Sequence, residues 1–190
     1  MRHLTALLAL TLLCGAACHG ADAAAPAPSV VQVPGRGALE LAVPPGWKLS
    51  ARETPPGIPP TIKVGNADRS LSLLITVFPP MDPAKDQDTQ EKIDAMVRLT
   101  SGQYVDGSVE KVTTIKKLAA AHGLGSYASF TDADLVNVQQ PAPGQFKTVT
   151  NGELHVGDLT MVFTLLTGSL DGADFKAALG MIAGVKKSGQ

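Results

Sequence analysis

The run Leu159-Thr-Met-Val-Phe-Thr-Leu-Leu-Thr167 constrains this chain more than any other stretch. Leu159, Met161, Phe163 and Leu165 share one face of an extended backbone, and Thr160, Val162, Thr164 and Leu166 share the other. A period of two is the signature of a strand, and apolar residues on both faces place that strand inside a sheet. Gly157-Asp158 precedes it and suits a tight hairpin turn, because such turns need positive φ. The segments FKTVT and ELHV before that turn form the partner strand. Asn151-Gly152 could itself turn, but a long strand with a kink there accounts better for the pattern. A helix follows, with Asp171 as N-cap, Asp174 near the positive end of its dipole, and Phe175, Ala178, Leu179, Ile182 and Ala183 at helical spacing. Lys186 and Lys187 suit its C-terminal end. The region Phe146 to Val185 thus predicts a hairpin with a helix laid back on its sheet.

The N-terminus carries an export signal. Arg2 gives a positive start, and Leu4 to Leu13 is apolar but too short to span a bilayer, which needs about 20 residues. Small residues follow, and two processing sites fit. Ala21-Asp22-Ala23 permits cleavage before Ala24, which defines residues 1–23 as the signal peptide. Gly15-Ala16-Ala17-Cys18 resembles a lipobox, with Cys18 as the lipidated residue, although Gly15 stands where an apolar residue is usual. Residues 24–37 read as an Ala/Pro-rich linker. The expected location is therefore the periplasm of a Gram-negative bacterium, or its envelope membrane through a lipid on Cys18. Both cysteines, Cys14 and Cys18, fall in the targeting region, so the domain beyond it rests on its apolar core rather than on disulfides.

Residues 38–187 read as one domain. Leu39 to Val43 alternates as a strand and ends at Pro44-Pro45-Gly46, followed by Trp47, the chain's single tryptophan. The Pro-rich stretch 53–60 is a stiff connecting loop. Thr61 to Val64 and Leu71 to Phe78 read as strands joined by a turn at Asn66 to Arg69. Asp88 and Glu91 form a capping box for a helix whose apolar face is Ile93, Met96 and Val97. Val109 to Leu118 and Gly123 to Asp132 are further strands, with Tyr127 facing the same way as Ser129, and Ala128 as Phe130. Strands with two interspersed helices give an α+β class, with a central, mainly antiparallel sheet flanked by helices. The strands beginning at Leu39, Leu71 and Gly123 are expected in one sheet with the closing hairpin.

Composition excludes some functions. The formal charge is −1, and no basic stripe points to nucleic acid. His122 and His155 lie 33 residues apart, outside metal-ligand spacing and with no acidic partner at a diagnostic offset. No G-x-S-x-G elbow or phosphate-binding loop is present; Gly123-Leu124-Gly125-Ser126 enters a strand rather than a helix. Asp132 and Asp134 read as a solvated turn, with Ca²⁺ binding or an acid/base pair as the alternatives, although no oxygen-rich loop follows them. No catalytic residue, metal ligand or cofactor is assigned.

LELAVPPGW, the strand LSLLITVF before a capped helix, and the closing hairpin plus helix resemble the PsbP-like family, whose fold is shared with the Mog proteins and several bacterial envelope lipoproteins. The resemblance spans Ala38 to Val185 and implies an α-β-α sandwich. It further implies a role in assembly or binding rather than catalysis. The expected function is a non-catalytic envelope domain that binds a protein or cell-envelope component. The alternative is a periplasmic carrier of a small molecule or metal, with a pocket near Trp47, His122 and Tyr127. An enzyme with dispersed residues such as Asp132 and Asp134 is the third reading. The Pro-rich loop 53–60 and the segment from Asp132 to Gln145 are the expected binding surfaces.

Overall fold

The computed structural model describes residues 28–52, 54–55, 58–79 and 89–189. In chain order its elements are β1 (Ser29–Val33), β2 (Gly37–Leu41), β3 (Trp47–Arg52), β4 (Thr61–Asn66), β5 (Leu71–Phe78), α1 (Gln90–Ser101), β6 (Lys116–Leu118), β7 (Gly123–Thr131), β8 (Thr148–Val156), β9 (Leu159–Thr167), α2 (Ala173–Ala183) and β10 (Lys186–Ser188). Seven strands form one sheet in the order β3-β4-β5-β9-β8-β7-β6, and β1-β2-β10 form a second. Every pairing is antiparallel.

The closing hairpin sits at the centre of the large sheet. β8 and β9 pair from Thr148↔Thr167 to Val156↔Leu159 around Gly157, whose φ is +63°. The strand runs through Asn151-Gly152 without turning there. Leu159, Met161, Phe163 and Leu165 are all buried, and the alternate residues are half-buried. The buried set joins Ile62, Leu73, Ile75, Leu39, Leu41 and the α2 residues Phe175, Ala178 and Ile182 in the main core. Each such side chain contributes about 1.5–3 kcal/mol through apolar burial, so this face dominates stability. On the opposite face α1 packs Ile93 and Val97 against Ala128 and Phe130 of β7. The sheet is thus covered by α2 and the small sheet on one side and by α1 on the other.

Several local expectations are corrected. The stretch read as linker contains a strand: β1 lies within residues 24–37, and its Val31 and Val33 enter the core. Two alternating valines are too short a signal to outweigh the neighbouring prolines. Leu39 lies in the small sheet, not beside the closing hairpin. Trp47–Arg52 is an edge strand, although its mostly exposed residues carry little alternation. Lys116–Leu118 is the one regular strand within residues 109–118. Lys186 and Lys187 belong to β10, because α2 ends at Gly184.

The caps shift as well. Thr89, not Asp88, caps α1 and accepts from the Lys92 amide; Asp88 lies outside the described residues. Gly172, not Asp171, occupies the cap position of α2. Asp174 instead reaches across to the β4–β5 turn, where its Oδ2 accepts from Ser70 Oγ (2.5 Å) and Asn66 Nδ2 (3.1 Å). These bonds fasten the first turn of α2 to the sheet.

Candidate functional site

Strand register defines the face on which α1 sits. Residues directly opposite in an antiparallel pair share a face. Ser50 pairs with Lys63, Lys63 with Leu74, Leu74 with Thr164, and Thr164 with Asn151. This row runs from the free edge of the sheet to the foot of α1, because the Thr100 hydroxyl donates to Asn151 Oδ1 at 2.7 Å. The same face therefore has two halves.

The covered half, over β7 and β8, holds a polar network. Gln90 Nε2 donates to Ser126 Oγ (2.7 Å) and to Asp94 Oδ1 (2.9 Å), and the Ser126 hydroxyl donates to Asp94. These hydrogen bonds hold the Asp94 carboxyl below the usual carboxylate range, Ser126 contributing most. Next to Ser126, Glu153 Oε1 lies 2.6 Å from His155 Nε2, and both side chains are buried. A carboxylate and an imidazole at positions i and i+2 of a strand point the same way, so the pairing follows from the period of β8. The sequence reading, which found no acidic partner for His155 at a diagnostic offset, missed this i, i+2 pair. Chemically, the arrangement orients and fastens rather than exposes. A nucleophilic serine needs an imidazole to take its proton and a path for substrate. Ser126 is fully buried, and its hydroxyl donates its hydrogen bond to the Asp94 carboxylate rather than to an imidazole.

The open half, over β3, β4 and β5 with β9 alongside, carries no helix among the described residues. Leu74 and Phe78 remain 39% exposed in the middle of the sheet, unlike their buried neighbours Leu73, Ile75 and Val77. Thr76, Val162, Thr164 and Leu166 surround them, half-buried. Toward the free edge the face presents Lys48, Arg52 and Lys63, none ion-paired among the described residues. No acidic residue stands on this face of β3, β4, β5 or β9, in a chain whose overall charge is −1.

The residues singled out from sequence are dispersed. Trp47 and Tyr127 are both half-buried against the main core. They sit on β3 and β7, with β4, β5, β9 and β8 between them. Five inter-strand steps amount to about 24 Å, so they share no pocket. Burial raises the Tyr127 phenol above its ordinary pKa. His122 is exposed and lines an open depression with Val156, Gly157, Lys186, Lys187 and Gly189. Asp132 Oδ1 accepts from the amides of Asp134 (2.8 Å) and Leu135 (3.2 Å), a side-chain turn closure at the end of β7, and Asp134 is exposed. Cys18 and the processing sites lie outside the described residues. Around the Pro-rich loop, Val33, Pro34, Thr54, Pro55, Ile58 and Pro59 line an apolar cleft of about 190 Å³. Residues 139 and 141–147 line an open depression with Asp68, Arg69, Ser70 and Gly168.

Comparison with known proteins adds the fold. No family model and no curated protein sequence matches the chain. Among solved structures it is similar to the solution structure of cyanobacterial PsbP (CyanoP) from Synechocystis sp. PCC 6803, with a TM-score of 0.50 and 11% identity, covering 89% of this chain and 96% of that one. A crystal structure from Bacteroides thetaiotaomicron VPI-5482 gives a TM-score of 0.40 and 13% identity, covering 80% of this chain and 46% of that one. At 11% identity the likeness to CyanoP is one of fold, and the chain is an α+β domain with a distant PsbP-like fold.

Proposed function

We propose that this protein is an exported envelope domain that binds a protein partner through a sheet face, without catalytic chemistry of its own. One observation carries the reading: half of a central sheet face bears Leu74 and Phe78 at 39% exposure with no helix over it among the described residues. Contiguous apolar surface on a sheet is usual at interaction sites. The internally bonded positions of Ser126, Glu153 and His155, all buried, and of the half-buried Asp94 support a structural role for the chain's polar cluster. The apolar cleft by the Pro-rich loop holds about 190 Å³, below the roughly 300–1,000 Å³ of small-molecule sites, and the depression of about 560 Å³ that His122 lines is open to solvent and includes neither Trp47 nor Tyr127, which supports a macromolecular surface over a carrier pocket. Arg2, the apolar run to Leu13 and the small residues after it support export, with Cys18 as the point of lipid attachment if the lipobox is used.

Site-specific photo-crosslinking in the producing cell tests this. A photo-reactive residue is placed singly at Ile58, Leu74 and Val138, which cover the Pro-rich cleft, the open half-sheet and the 132–145 segment. A discrete protein adduct at one position and not at the others is expected. Uniform labelling at all three, or none at any, contradicts a partner-binding domain. Capture of a small molecule by a photo-reactive residue placed instead at Trp47 or His122 would favour the carrier.

A further inference from the structure

Resting on that reading, we infer that the open half-sheet is the seat of an amphipathic, acidic helix of a partner protein, laid beside α1. The charge pattern gives the first argument. Lys48, Arg52 and Lys63 stand toward the free edge, no acid stands on this face of β3, β4, β5 or β9, and the row Ser50–Lys63–Leu74–Thr164 passes from polar and cationic at the edge to the apolar Leu74 before it meets Thr164 and Asn151 at the foot of α1. A complementary partner element therefore carries acidic residues along one flank and apolar residues beneath.

Shape gives the second argument and separates a helix from a membrane surface. α1 lies on the same face, over β7 and β8, and rises about one helix diameter, ~10 Å, above the sheet. Leu74 is at the bottom of that step. A planar bilayer meets the crest of α1 before it reaches Leu74, whereas a single helix fits the step. The wall of the step is apolar too. Met96 is 45% exposed, one turn before Thr100, which reaches β8, and on the other side of α1 from Asp94, which reaches β7. Met96 thus overlooks β9 and β5, and a docked helix would contact Leu74 below and Met96 at its side.

The experiment uses the full chain with the photo-reactive residue at position 74, and mass spectrometry of the crosslinked peptide. The expected adduct is a partner segment with apolar residues at i, i+3, i+4 and i+7 and acidic residues along one side. Its yield falls by about tenfold in the Lys48→Glu/Lys63→Glu background, because like charges now face each other. The thermal midpoint of that double variant, read in parallel, stays at the wild-type value, since both lysines are exposed. A phospholipid adduct, an adduct to a second copy of this chain, a partner segment without acidic residues, or a yield indifferent to charge reversal overturns the inference. Crosslinking at 58 or 138 without crosslinking at 74 overturns it too, together with the sheet-face assignment, and leaves standing only that the domain binds a partner. Silence at all three positions removes both.

Discussion

Gly152→Ala should be among the most damaging single-methyl additions in this domain. Gly152 lies at the middle of β8, directly opposite Phe163 of β9, and the phenyl ring lies over the glycine backbone. A Cβ at position 152 would sit 2.2 Å from Phe163 Cζ and 2.6 and 2.8 Å from Cε1 and Cε2. Carbon atoms prefer separations of about 3.5–4.0 Å, so the ring must retreat by roughly 1.3 Å at its tip. Phe163 is 1% exposed and ringed by core residues, so the displacement propagates into Leu154, Met161 and Leu165 rather than into solvent. Overpacking of this kind costs about 1–3 kcal/mol, and rigid surroundings on all sides place this case at about 2–3. For a domain of this size that corresponds to a fall of about 5–10 °C in thermal midpoint. Urea and thermal unfolding followed by circular dichroism measure it. Gly168→Ala, where the added methyl meets nothing within 4 Å, is the control and should change stability by less than about 0.5 kcal/mol. Phe163→Leu should partly rescue Gly152→Ala, because the shorter side chain vacates the methyl's position, giving non-additivity of about 1 kcal/mol or more. Near-wild-type stability of Gly152→Ala, or strict additivity with Phe163→Leu, would refute the packing argument.

Three further outcomes are expected. Asp94 is held below the ordinary carboxylate range by Ser126 and Gln90, so its contribution is present above about pH 4 and is lost as pH falls through the depressed folded value. Asp94→Asn should therefore be less stable than wild type at pH 7, by at most about 1 kcal/mol because solvent screens the half-exposed carboxylate, with the gap closing toward pH 3; an equal gap at both pH values sinks this. Asp174→Ala leaves Ser70 and Asn66 without their shared acceptor and should destabilise by about 1–2 kcal/mol, with faster amide exchange confined to the β4–β5 turn and the first turn of α2. Intact mass of the mature protein should show either an Ala24 terminus or a diacylglycerol-modified Cys18; an unprocessed Met1 terminus in the envelope fraction contradicts export by signal cleavage.

Local patterning made part of this molecule legible. The period-two run of β9, the turn at Gly157-Asp158 and the helical spacing from Phe175 to Ile182 each encode their own conformation and their own buried face. Together they gave the α+β class and the PsbP-like resemblance that the comparison with CyanoP bears out as fold. Where the signal was short or exposed it failed: β1 has two buried valines beside prolines, and β3 keeps four of its six residues exposed. Asp174 lies in the first turn of α2, where the sequence placed it, but only the packed structure shows its bonds to the distant β4–β5 turn.

What the sequence could not decide was adjacency. β5 pairs with β9 across an intervening helix and three strands, and this places Leu74 in a row with Thr164 and Asn151 at the foot of α1. Side-chain period fixes which face a residue occupies, because it follows from the backbone of a few neighbouring residues. Which strands lie side by side depends on pairings between residues far apart in the chain, and on which half of the sheet a single helix can cover. The closing hairpin and the shared facing of Glu153 and His155 were therefore written in the local sequence, whereas the burial of that pair beside Ser126 and the cationic, half-open sheet face came into being only when the strands met.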